Sequence, residues 1–182
     1  MKHIGSLVML LLVALAAPAW TAQPTDEEIS AAKAQMEHLA SEALTETVGV
    51  VNESGGFYPY AMVMREDKTV SVIAYNGDPD LRPTAEDFVQ SLYWQVAAVL
   101  NKERAFQVAV LLKPHRLKGE EGGTVPGIWA LVDHRDHDPW VMFLPFVDVG
   151  NGKFKLGDIM YLPSTDQLFL QKHVTSENDD AE

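Results

Sequence analysis

The chain has 182 residues, with 14 Lys and Arg against 26 Asp and Glu, and it contains no cysteine. The formal net charge of −12 argues against nucleic acid and anionic lipid as partners, because both repel a negative surface. The absence of cysteine excludes a disulfide framework, a thiolate zinc site and a cysteine nucleophile.

The amino terminus has the pattern of a secretory signal peptide. Met1–His3 is weakly basic, Leu7–Ala17 is an unbroken apolar run, and Ala17-Pro18-Ala19 is the small-x-small pattern that signal peptidase cleaves. Ala22 offers a second cleavage site. The run is shorter than the ~20 residues that a membrane-spanning helix needs, so we expect residues 1–22 to be a cleavable signal peptide.

The composition indicates a compartment for the mature chain. Small secreted eukaryotic domains usually depend on disulfides, so a cysteine-free exported domain is expected in a bacterial periplasm or in the medium. Removal of Lys2 leaves 13 basic against 26 acidic residues, a formal charge of −13. No later segment is apolar and long enough to cross a bilayer, so we expect no stable membrane insertion after cleavage.

The first half of the mature chain predicts a helix followed by a hairpin. Thr25 and Glu28 form a capping box, and apolar residues then recur at helical spacing to about Thr47. Residues 52–56 read as a loop because of their Asn, Ser and Gly content. Two strand-like runs joined by a short polar turn then follow, Phe57–Arg65 and Thr69–Asn76.

The second half opens on another helix and continues with strands. Thr84 and Asp87 form a second cap, followed by apolar residues at helical spacing. Pro114–Pro126 is interpreted as a polar loop, Phe154–Leu162 as an edge strand or a short helix, and Leu168–Leu170 as the segment that docks the end of the fold. Three strands are expected around the loop: Phe106–Lys113, Gly127–His134 and Trp140–Val147.

The element order is α-β-β-α-β-β-β. It predicts an α+β fold in which helices cover an antiparallel sheet of about five strands. The order resembles the profilin-like and roadblock/PAS-like group of small α/β sandwiches over most of the mature chain, by element order only and without a residue motif. Such folds serve sensing, scaffolding and ligand binding alike. We expect a single domain over residues 23–175 and an acidic, disordered tail over 176–182.

One polar cluster has side chains suited to metal binding. On the tip of a predicted hairpin, His134 and His137 could converge, with Asp136 or Asp138 as a third ligand and His115 joining from a neighbouring loop. A solvated turn has the same Asp, His and Arg composition, and this is the interpretation we favour. We therefore expect no stoichiometric metal and no cofactor.

The aromatic residues allow two interpretations. Trp129 and Trp140 lie near opposite ends of a predicted hairpin, where they would fill the sheet core or line a ligand groove, and we favour the core. Tyr93 and Trp94 are adjacent on a predicted helix, so both cannot face the sheet. One of them is expected at a rim or an interface.

Two classes of function follow from the sequence. The chain has no Gly-x-Ser-x-Gly elbow, no His-Glu-x-x-His pair and no phosphate-binding loop. The favoured hypothesis is an exported, acidic, non-enzymatic binding module, whose partner is a protein or, through weak self-association, its own copy. The alternative is a small metal- or ligand-binding protein, with hydrolysis among its possible activities, that uses the His134–Asp138 hairpin tip.

Overall fold

The computed structural model describes residues 25–119, 122–150 and 153–170. The expected signal peptide (1–22) and acidic tail (176–182) lie outside the described residues. A long helix, α1, spans Asp26–Ser54, and a second, α2, spans Ala85–Lys102 after a short 3-10 turn at Pro79–Leu81. The strands are β1 Tyr60–Arg65, β2 Val70–Ala74, β3 Phe106–Lys118, β4 Thr124–His134, β5 His137–Asp148, β6 Phe154–Leu156 and β7 Met160–Pro163.

Helix α1 begins where the sequence predicts and ends about two turns later. The amide of Glu28 donates to the Thr25 hydroxyl at 3.3 Å, and the Glu28 carboxylate accepts from the Thr25 amide at 2.8 Å. That amide lowers the pKa of Glu28. The predicted loop at residues 52–56 is wrong over its first three residues, because the buried Val51 keeps the last turn packed on the sheet. The helix stops at Gly55, whose φ of 77° suits a residue without a Cβ.

The strands form one antiparallel sheet in the order β2-β1-β3-β4-β5. The outer side of β5 pairs with β7 along Trp140–Phe143 and with β6 along Phe146–Asp148. The predicted α+β class and antiparallel sheet are confirmed, and the first seven predicted elements occur in the expected order. The sheet has seven strands where about five were expected, because the segment Phe154–Leu162 supplies two short ones.

The predicted loop Pro114–Pro126 is mostly strand. Strands β3 and β4 continue to a tight turn in which the Gly119 amide donates to the Gly123 carbonyl at 2.8 Å. Both prolines are tolerated because the outer strands do not reach this far along the hairpin. β1 pairs with β3 only as far as Leu112, and β5 pairs with β4 only from Gly127 onward. Each proline therefore lies beyond the end of the outer strand, so its missing N–H removes no hydrogen bond to that strand.

The core has two layers, one on each face of the sheet. Successive residues of β1 alternate between them, with Met62 and Met64 under α1 and Ala61 and Val63 under α2. Both faces of the central strands are buried, which explains why β1 and the first half of β3 read as nearly continuous apolar runs. Phe143 and the carboxyl-terminal residues join the α2 side of the sheet.

The side chains of Asp133 and Asn101 hold the carboxyl-terminal segment on the α2 side of the sheet through hydrogen bonds to its backbone. Oδ2 of Asp133 accepts the amides of Leu168 at 2.6 Å and of Phe169 at 3.0 Å. Nδ2 of Asn101 donates to the Leu168 carbonyl at 3.2 Å, and its Oδ1 accepts from the Leu170 amide at 3.1 Å. The predicted docking of Leu168–Leu170 is confirmed for Leu168 and Phe169, which are fully buried, whereas Leu170 is 57% exposed.

Candidate functional site

The histidines of the predicted metal cluster are held by contacts within the protein. His134 and His137 lie opposite each other in the β4–β5 hairpin, which closes through Arg135 and Asp136. Nδ1 of the buried His134 accepts from the Asp136 amide at 2.9 Å, so the ring proton lies on Nε2, 3.3 Å from Oε1 of Gln35 in α1. Both ring nitrogens of His134 are thus engaged, one at the tip and one against α1.

His115 lies far from this tip. It is opposite Gly127, whereas His134 is opposite Val108, seven positions away along β3 and roughly 24 Å. Its ring meets Phe143 edge to face at 6.3 Å, on the α2 side of the sheet. Burial lowers the pKa of His115, and the charge of Lys113 lowers it further.

The structure therefore does not bring the four predicted ligands together. His137 Nδ1 lies 2.9 Å from the carbonyl of Asp138, and Asp136 is exposed on the turn. Among residues 25–119, 122–150 and 153–170, no three His, Asp or Glu side chains are grouped so that they could hold a metal ion. Metal binding at His134, Asp136 and His137 stays a prediction from the sequence.

The outward side of α1 is strongly acidic. Its only lysine or arginine is Lys33. Exposed carboxylates recur along its length, at Asp26, Glu27, Glu28, Glu37, Glu42, Glu46 and Glu53. Acidic side chains in the first turn also stabilise the helix, because their negative charge interacts favourably with the positive end of the helix dipole. These carboxylates, the acidic face of α1, give the exposed side of the helix a negative potential on both flanks.

A first groove, of about 660 Å³, runs between this face and the β1–β2 hairpin. Its helix wall carries Glu42 and Glu46, one turn apart, and apolar side chains of Met62 and Val70 lie on its sheet wall. Lys68, at the hairpin turn, closes one side. An acidic wall facing an apolar one suits a lysine or arginine side chain, whose stem is aliphatic and whose tip is charged.

A second groove, of about 510 Å³, lies on the other flank of α1, against strand β7. It is lined by Lys33, Glu37, Trp140, Tyr161, Leu162 and Pro163. The indole Nε1–H of Trp140 is buried and makes no hydrogen bond within the described residues. Buried donors are nearly always paired in folded proteins, so this N–H is a feature that calls for an acceptor.

Strand β7 itself exposes a continuous apolar stretch. Ile159, Met160, Tyr161 and Leu162 all keep more than a third of their surface exposed, and Tyr161 keeps 63%. Natural sheets usually protect an edge of this kind with charges, proline or a covering element. For Phe154–Leu162 the sequence left an edge strand or a short helix open, and the structure shows strand, at Phe154–Leu156 and Met160–Pro163.

The sequence reasoning located the edge strand but missed the second groove. The groove depends on how α1 crosses β5 and β7, a relationship between segments about a hundred residues apart. The apolar run Ile159–Leu162 directly before Pro163 was the available signal, because an edge strand tolerates proline and a central one does not. Trp94, 58% exposed beside the part-buried Tyr93, confirms the expectation that one of that pair lies at a rim.

No protein-family model matches the chain, and comparison with curated proteins and with solved structures found no match. Neither helix of the described residues is long and apolar enough to cross a membrane.

Proposed function

We propose that this protein is an exported, non-enzymatic binding module that holds a basic segment of another protein against the acidic face of α1. The observation that carries the proposal is the position of that face, which has seven carboxylates and one lysine and is flanked by a groove on either side. A basic partner would be attracted by the field of the helix and then held in the grooves.

The strength of such binding requires both charge and apolar contact. An exposed ion pair contributes only about 0.2–1 kcal/mol, so carboxylates alone give weak and salt-sensitive association. Apolar side chains seated in grooves supply the energy that remains at physiological salt. Met62 and Val70 on one flank and Leu162 and Tyr161 on the other offer this contact.

The metal-binding alternative has weaker support. A metal at the hairpin tip would have to displace the Asp136 amide from Nδ1 of His134 or the Gln35 side chain from its Nε2. Nδ1 of the neighbouring His137 already lies 2.9 Å from the carbonyl oxygen of Asp138. No comparable rearrangement is needed for a partner to reach α1, because the carboxylates of its acidic face are exposed.

The test compares two variants that each lose three negative charges. The first carries Glu37→Gln, Glu42→Gln and Glu46→Gln on α1, and the control carries Asp80→Asn, Asp136→Asn and Asp138→Asn, which are exposed elsewhere. The mature wild type and both variants are used as bait in periplasmic extract at low and high salt, and retained proteins are identified by mass spectrometry.

We expect one basic protein to be retained at low salt by the wild type and the control, and lost from the α1 variant. High salt should weaken its retention. Equal retention by all three baits would show that α1 is not the binding surface, and recovery of no protein by the wild type would contradict the proposed function.

A further inference from the structure

We propose that strand β7 is the edge to which the partner segment adds as a further strand of the sheet. One of its side chains then enters the second groove and accepts a hydrogen bond from Trp140 Nε1–H. This inference rests on the proposed function, because it specifies where and how the basic segment is held.

The free side of β7 supplies the backbone groups that this pairing needs. Within the described residues β7 pairs with β5 alone, along Trp140–Phe143. In an antiparallel pair alternate residues direct their N–H and C=O groups away from the partner strand, so the outer side of β7 presents such groups to an incoming chain. Edge pairing is a recurrent way to bind an extended peptide, with affinity from main-chain hydrogen bonds.

The second groove supplies the selectivity. Tyr161 and Pro163 lie on the α1 side of β7, since they are opposite Met142 and Trp140, which belong to that side of the core. A strand added outside β7 would direct every second side chain toward the same side, over the groove. Trp140 lines this groove, and its Nε1–H is closed off from solvent and has no partner in the described residues, so an amide or hydroxyl oxygen on one of these side chains would pair with it once the lining side chains move aside.

Charge decides between a second copy and a different protein as the occupant. Two copies joined through β7 would bring together two helices that each carry Asp26, Glu27, Glu28 and Glu37 toward this end, on chains of net charge −12. Like charges placed opposite each other oppose such a dimer. Pro163 has no backbone N–H, and a proline on an edge strand limits nonspecific pairing with other chains. The occupant is therefore a basic, extended segment of another protein.

The test uses a labelled synthetic peptide in which lysine alternates with valine, with one central glutamine. Its binding to the full mature chain is measured by fluorescence anisotropy. A second peptide has the same side chains and charge but is N-methylated at its central backbone amides, so that it cannot form a strand ladder. We expect the first peptide to bind and the second to bind at least tenfold more weakly.

Three protein variants locate the contact. Tyr161→Lys places a like charge on the edge and should weaken binding of the first peptide at least tenfold. Trp140→Phe keeps an aromatic ring but removes the donor, and should weaken binding about threefold to tenfold. Leu81→Lys is the matched control, because Leu81 is exposed at 77% on the 3-10 turn Pro79–Leu81, outside both grooves, and it should leave binding unchanged. Thermal melting checks that each variant is folded.

The outcomes separate this inference from the proposed function. Failure of the first peptide to bind the wild type, or equal binding of both peptides, would overturn the edge-strand inference. If binding is lost in the α1 triple variant but kept in Tyr161→Lys, the proposed function stands and the edge is wrong. A concentration-dependent dimer in sedimentation, abolished by Tyr161→Lys, would assign the edge to a second copy instead.

Discussion

Asp133 accepts the backbone amide of Leu168 at 2.6 Å, and this contact joins the end of β4 to a segment 35 residues further along the chain. The same oxygen also accepts the amide of Phe169, and the carboxylate is fully buried. Asp133, the residue directly before the hairpin tip His134–Asp138, is thus the anchor of the carboxyl-terminal segment. Since only Ser164–Gln167 separates β7 from Leu168, the anchor also restrains the edge strand.

Asp133→Ala should therefore destabilise the fold more than its location beside a turn suggests. The substitution leaves two buried amides without an acceptor, at about 1–3 kcal/mol each. We expect a loss of roughly 3 kcal/mol in the free energy of unfolding, measured by urea denaturation. Asp136→Ala, at an exposed position three residues away, should change it by less than about 0.5 kcal/mol. Equal effects would mean that Asp133 does not anchor the segment.

Phe143 and Trp129 should respond differently to truncation, although both lie in strands that the sequence predicted. Phe143 is fully buried and packs across Gly127, where an added Cβ would lie 2.3 Å from its ring. Phe143→Ala should cost about 3–5 kcal/mol. Trp129 is only part-buried and lies under the Lys113 ammonium at 4.3 Å, so Trp129→Ala should cost less. Thermal melting of both variants compares the two losses of stability. A larger loss for Trp129→Ala than for Phe143→Ala would contradict the prediction.

The local elements were predictable because their signals lie close together in the chain. Thr25 with Glu28 and Thr84 with Asp87 marked both helix starts, and the hydrogen bonds of those caps are present. The end of α1 was misplaced because Asn52 and Ser54 suggest a loop, whereas Val51 packs on the sheet and extends the helix. Pro114 was misread because only the sheet order shows that β1 does not reach it.

The candidate site was less accessible to sequence reasoning for a related reason. The acidic character of α1 follows from composition, and the edge from the charged residues Lys153, Lys155 and Asp158 in and beside the segment Phe154–Leu162. The buried N–H of Trp140 depends on the packing of α1 over β5, and the role of Asp133 depends on a partner 35 residues away. Such distant relationships leave no periodic signal in the chain.

His115 should make the protein slightly less stable at acid pH. Burial, and then the charge of Lys113, hold its pKa below the usual 6.5. Below that pH the unfolded chain binds a proton that the folded chain does not, so stability falls from about pH 6.5 down to the folded pKa. His115→Gln should lose less stability than the wild type between neutral pH and about pH 5. The free energy of unfolding of both proteins is measured by urea denaturation at the two pH values. An equal loss in the wild type and in His115→Gln would contradict this prediction.

The mature chain is expected to begin at Trp20 or Gln23. Cleavage after Ala19 or Ala22 leaves a small residue at the position that signal peptidase reads, directly after a short apolar run. The intact mass of the protein recovered from the periplasm or the medium distinguishes the two sites. A mass that still includes residues 1–17 would contradict export through a cleaved signal peptide.

Hydrogen exchange of the mature protein with and without the lysine–valine peptide tests the central claim most directly. The claim is that a basic, extended segment lies along β7 beside the acidic face of α1. It predicts that bound peptide slows exchange in residues 159–162, where outward amides gain acceptors, and leaves α2 at residues 85–102, on the other face of the sheet, unchanged. Unchanged exchange at 159–162, with slowing instead at α2 or at the 134–138 hairpin tip, would contradict it.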